Sequence, residues 1–166
     1  MRLLKLAIIS FLFFFLLITG ISLFIPSSVR ISRAVEITAP KEKIMEQIAH
    51  AENWKNWYPG ADSLRLLMIA GEPKGVISAN DSLQGLQIIG VNDSTVIAAN
   101  VGKGSKENKT GWKIMSGGST TSVQWYMDFQ LRWYPWEKFA SLLFDKQYGT
   151  PMEMGLGKLK KMLENN

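Results

Sequence analysis

Leu6 to Ile25, LAIISFLFFFLLITGISLFI, is a run of twenty residues without a charge. A bilayer core about 30 Å thick is crossed by about 20 helical residues rising about 1.5 Å each. Arg2 and Lys5 precede the run, and Pro26-Ser27-Ser28 ends it. The expected organisation is a transmembrane anchor over residues 1–27 and a tethered domain over 28–166. A cleaved signal peptide competes with this. Signal h-regions span only about 7–15 residues and end in a small-x-small site. Thr19-Gly20-Ile21-Ser22 matches that site poorly, so a retained anchor is favoured. A buried core helix is the third alternative. With no cysteine in the chain, a lipoprotein anchor is excluded. The N-terminal amine, Arg2 and Lys5 favour an N-terminus inside, and Arg30 and Arg33 weaken that bias. The expected topology is single-pass in the cell membrane, with the domain outside the cytoplasm.

Setting residues 1–25 aside leaves 141 residues, enough for one domain with a real core. Without Arg2 and Lys5, the 17 remaining Lys and Arg oppose 14 Asp and Glu. That mild excess is no nucleic-acid footprint, and closeness to an anionic membrane explains it. Disulfides, thiol chemistry and zinc-cysteine sites are excluded. A single histidine supplies no usual zinc ligand set either, so no metal and no cofactor is expected.

Val29 to Ile37 alternates like a strand. Thr38-Ala39-Pro40 then stops it and starts a helix, with proline suited to the first helical position. Ile44, Met45, Ile48 and Ala49 form its apolar stripe, which breaks near His50. Short strands follow at Leu64–Ala70, Val76–Asn80, Leu86–Val91, Thr95–Asn100 and Trp112–Met115, separated by turn residues. A longer one spans Thr121–Tyr134. That spacing predicts an antiparallel meander. Trp136–Phe144 is a short helical segment. Thr150-Pro151-Met152-Glu153 reads as a capping box, followed by a stripe of Met152, Leu156, Leu159 and Leu163. Gly155 and Gly157 cost this helix propensity; they allow close approach to a sheet or leave room for a ligand. One sheet with one long amphipathic helix must hide two apolar faces against each other. The expected fold is α+β, a helix grip: a curved antiparallel sheet around a long C-terminal helix, with a cavity between them.

Three segments resemble the START-like, polyketide cyclase/dehydrase-like (SRPBCC) superfamily. They are VEITAPKEKIMEQIAHAENWKNWYPG with its W-x-x-W-x-P ending, SVQWYMDFQL, and YGTPMEMGLGKLKKMLE. The resemblance covers roughly Val29 to Glu164, and the anchor resembles that of a membrane-anchored bacterial subgroup. It implies the helix-grip fold and binding of lipids, sterols or polyketides, with catalysis in some members only.

The strand from Val123 carries Trp125, Met127, Phe129, Leu131 and Trp133 on one face. That face is either filled core or the wall of an apolar pocket. Trp54 and Trp57, three apart on one helix face, either seal the core or, by the family analogy, line the pocket mouth. Leu156 faces the same space. The ligand-binding candidates are therefore Trp54, Trp57, Trp125, Met127, Phe129, Trp133 and Leu156; no catalytic residue is named. His50 has no nucleophile or orienting carboxylate placed beside it. Asp128 and Arg132 lie about 13 Å apart along one strand and do not pair within it. Gly102–Gly111 reads as a long hairpin loop, with contact to lipid headgroups as the alternative. The expected partners are a membrane and a hydrophobic small molecule or lipid, with no nucleic acid. The alternatives are a cyclase- or hydrolase-type enzyme and a ligand-free interaction module of the cell envelope.

Overall fold

A computed structural model describes residues 2–79, 85–102 and 108–165. Helix α1, Arg2–Ser22, is long and apolar enough to cross a membrane, and its apolar side chains are exposed. Strand β1, Ser28–Ile37, follows after a short link, then helix α2, Lys41–Ala49. Pro40 caps α2 in an extended conformation rather than occupying its first turn. His50, also extended, ends α2 and separates it from a 3₁₀ helix, Ala51–Asn56. This is the break expected from the sequence.

Six strands then run β2 (Leu64–Ile69), β3 (Glu72–Ser78), β4 (Gly85–Asn92), β5 (Thr95–Val101), β6 (Lys109–Gly117) and β7 (Thr120–Gln130). With β1 they form one antiparallel sheet in the order β1-β7-β6-β5-β4-β3-β2. The turn expected over Gly71–Gly75 is tighter: only Ala70 and Gly71 take positive φ, and Glu72 already belongs to β3. Pro73 is tolerated there because it pairs with Met68 at a register shift. Residues 103–107 of the expected Gly102–Gly111 loop lie outside the described residues, and β6 has begun by Lys109.

Helix α3, Pro135–Ser141, and a π-helical turn, Asp145–Gly149, lead into helix α4, Thr150–Glu164. The expected capping box does not form. The π turn runs straight into α4 with Gly149 already helical, and the Glu153 carboxylate is taken by Arg33 at 2.5 Å. Helix α4 lies across β1 and β7. Met152, Leu156 and Leu159 are fully buried there, with Ile37, Val123 and Trp125 from the sheet in the same core. The architecture is the α+β helix grip, preceded by the apolar α1.

Candidate functional site

Antiparallel register decides which side chains meet on the inner face. Trp125 sits opposite Trp112, Met127 opposite Thr110, and Val123 opposite Ile114. On the other side of β7, Ile31 faces Met127 and Val29 faces Phe129. Trp54 of the 3₁₀ helix and Trp57, the residue just past its end, pack against Trp112, with ring centres 5.3 and 6.0 Å away. Trp112 lies 5.4 Å from Trp125, and Tyr58 5.3 Å from Trp125. The four tryptophans are fully buried. This aromatic block is the rigid end of the core, since ring pairs at such distances add to area burial.

Beyond it lies a cavity of about 280 Å³, between the inner face and the N-terminal end of α4. Trp125, Met127 and Phe129 give its floor; Tyr148, Pro151 and Met152 give its roof; Tyr58 and Pro59 close one end. Its size lies just below the usual span of ligand sites, about 300–1,000 Å³.

The polar side of the cavity is narrow. Asn100 and Lys109 stand at its exposed rim, with Asn108 and Thr110 further in. The Thr110 hydroxyl is committed: it accepts from Trp125 Nε1 at 2.7 Å and donates to the Tyr126 carbonyl at 3.0 Å. Asn108 is different. Its side-chain oxygen is buried and has no hydrogen-bond partner. Such an orphan costs about 1–3 kcal/mol. Burial pushes the Tyr58 phenol above its ordinary value, so it stays neutral at physiological pH. Among the described residues the lining holds no carboxylate and no imidazole.

The seven sequence candidates divide. Trp125, Met127 and Phe129 line the cavity. Trp54, Trp57 and Leu156 are buried in the core behind it and do not line it. Trp133 is a correction: it is 61% exposed and outside the strand. β7 ends at Gln130 because its neighbours end: Ser28 is the first residue of β1 and Lys109 of β6. Leu131 still donates to Ser27, but the Arg132 N–H goes to Glu137, and the chain turns away. Asp128, as expected, does not pair with Arg132; its partner is Arg30 across the strands at 2.6 Å. Arg33 of β1 lies opposite inward-facing Trp125. Its guanidinium reaches Asp145 and Glu153 around α4. His50 borders only a shallow surface depression. Sequence reasoning missed Tyr58, Asn108, Lys109 and Thr110. Asn108, Lys109 and Thr110 all fall in the Gly102–Gly111 stretch that the sequence reads as a loop, whereas β6 begins at Lys109 and its pairing with β7 brings Thr110 opposite Met127.

No curated protein matches the sequence. Solved structures do match, at identities that carry the fold alone. A protein from Thermobifida fusca is 14% identical, with a TM-score of 0.64, covering 81% of this chain and 92% of its own. A START superfamily protein from Mycobacterium smegmatis is 16% identical, with a TM-score of 0.56, covering 82% and 97%. The di-domain ARO/CYC StfQ of the steffimycin biosynthetic pathway is 9% identical, with a TM-score of 0.62, covering 83% of this chain and 51% of its own. A family model described as "polyketide cyclase / dehydrase and lipid transport" matches residues 28–164. Residue pattern, helix grip and family match agree, and the chain belongs to this START-like family.

Proposed function

We propose that the protein is a membrane-anchored binder of one hydrophobic small molecule or single-chain lipid, held in the cavity under α4. The observation that carries this is the unpartnered Asn108 oxygen at the polar end of an apolar cavity. A ligand with an apolar body and one hydroxyl or protonated carboxyl group satisfies both. Its body lies along Trp125, Met127 and Phe129, and its head donates to Asn108 beside Lys109 at the rim. The family supports binding of hydrophobic ligands or a cyclase-type role. Binding is the better reading because the lining, among the described residues, holds no carboxylate and no imidazole, the side chains that acid–base chemistry uses most often. Residues 1–27 are the retained anchor in this account and 28–166 the binding domain, placed outside the cytoplasm. The length of α1 and its exposed apolar surface support the anchor.

A fluorescent long-chain fatty acid tests the site. The full chain in micelles should bind one probe per domain saturably, and unlabelled lipid should displace it. Asn108→Leu should weaken binding about tenfold, or about 1.4 kcal/mol. Its melting temperature should hold or rise, because the orphan oxygen is gone. Absence of saturable binding to the folded wild type would refute the proposal.

A further inference from the structure

Helix α3 is built inside out. Its polar residues Lys138 and Ser141 are buried. Trp136, Phe139 and Ala140 are exposed at i, i+3 and i+4, and Leu143, in the turn just past the helix, is exposed too. A helix on a water-facing surface turns its apolar stripe inward; this one turns it out. Leu142 and Trp133, flanking the helix, add to this apolar surface, both more than 60% exposed. Tyr134 stacks on Trp136 at 4.8 Å and packs tilted against Trp133 at 4.9 Å. An apolar surface of this kind marks a contact with protein or membrane.

The buried side says which. Lys138 Nζ donates to the Ile25 carbonyl at 2.7 Å and to the Ser27 hydroxyl at 2.8 Å. Both acceptors belong to the link between α1 and β1. The end of α1 also packs on α3, which leaves Ser22 fully buried. Helix α3 is thus fastened beside the point where the apolar helix ends. If α1 spans the bilayer, the membrane–water boundary passes there, where Leu23 and Phe24 are exposed. Tryptophan and tyrosine favour that boundary. A helix with one apolar face lies in it with that face buried about 5–10 Å deep.

We propose that Trp133–Leu143 lies in the headgroup region of the bilayer as a second membrane contact, which fixes the domain's orientation; this rests on α1 being a retained anchor. The cavity then faces the membrane. Phe144 and Tyr148, which follow α3, each pack on Phe129 with ring centres 4.7 Å away, and Phe129 and Tyr148 both line the cavity. A shallow groove along Ser28, Val29 and Arg30 shares Phe129 and Lys109 with it. Gln130 at that end of β7 pairs with Ser28, six residues after α1.

The full chain is reconstituted in vesicles of phosphatidylcholine and phosphatidylglycerol, with or without bromine on the upper acyl chain. Trp54, Trp57, Trp112 and Trp125 are sealed in the core and report nothing from lipid. Brominated lipid should remove the emission share of two tryptophans in six. In Trp133→Phe/Trp136→Phe that quenching should vanish with the melting temperature unchanged. The single variants, each expected to halve it, serve if the double variant does not fold. Vesicles carrying a chain whose emission is unquenched would overturn this inference and leave the anchor standing. Failure of the chain to float with vesicles would overturn both. Unquenched chains that cross-link through α3 would assign the surface to a second copy, and that too overturns it. Fatty-acid binding in micelles is read independently of all three.

Discussion

Trp125 shows how one side chain serves two ends. Its ring closes the aromatic block on one side and floors the cavity on the other. Its indole N–H, which would be an orphan in either place, is given to Thr110. Met127, two residues on, lies past the block, packed on the edge of the core with the cavity beside it. It is half-buried, whereas Leu159 on α4 is fully buried. Met127→Ala should therefore cost less than about 2 kcal/mol, while Leu159→Ala should cost about 2–5 kcal/mol, as closed core sites do. Chemical denaturation of the two variants checks the contrast. Equal, large losses would mean that the space beside Met127 is filled core.

At the scale of elements, α4 explains the two glycines that its sequence made puzzling. A Cβ on Gly155 would stand 2.9 Å from Pro59 Cδ and 3.0 Å from the Trp125 ring. A Cβ on Gly157 would meet nothing within 4 Å. Gly155→Ala should destabilise by about 1–3 kcal/mol through overpacking, despite the gain in helix propensity. Gly157→Ala should stabilise by about 1 kcal/mol. Melting curves with shifts of one sign at both positions would contradict this packing.

The far end of α4 is tied by Glu164, whose carboxylate accepts the Thr38 N–H at 2.8 Å. That bond, with Lys160 nearby, holds the carboxyl below its ordinary 4.5. Because the folded value is the lower one, this tie is present above the ordinary carboxylate range. It is lost as pH falls through the lowered value. The denaturation midpoint of Glu164→Gln should therefore vary less with pH below about 4.5 than that of the wild type. Parallel pH profiles would remove the tie from the account.

Elements were legible where period and punctuation agreed. The alternation of β7 and the four-residue stripe of α4 placed both correctly. What failed were boundaries set by partners rather than by the segment itself. Trp133 continues the alternation of β7, yet no strand remains beside it. Thr150 and Glu153 have capping-box spacing, yet the π turn before them leaves no helix start to cap. The inverted α3 was invisible for another reason: a stripe of apolar residues does not say which way it points.

For the whole molecule, one sheet with one long helix had few ways to close, and the helix grip followed from element order. The cavity's apolar wall was readable from β7 alone. Its polar end was not, because Asn108 lies just before β6 and Lys109 begins it, and only the pairing of β6 with β7 brings them to the cavity. The account's central claim is that this cavity holds one hydrophobic ligand. Native mass spectrometry of the full chain, released gently from micelles, tests it most directly. The predicted spectrum has a species heavier than the bare chain by one small lipid-like molecule, lost in Met127→Trp, which fills the cavity while the chain stays folded. A wild-type chain that appears only at its own mass, even after incubation with single-chain lipids, would contradict the claim.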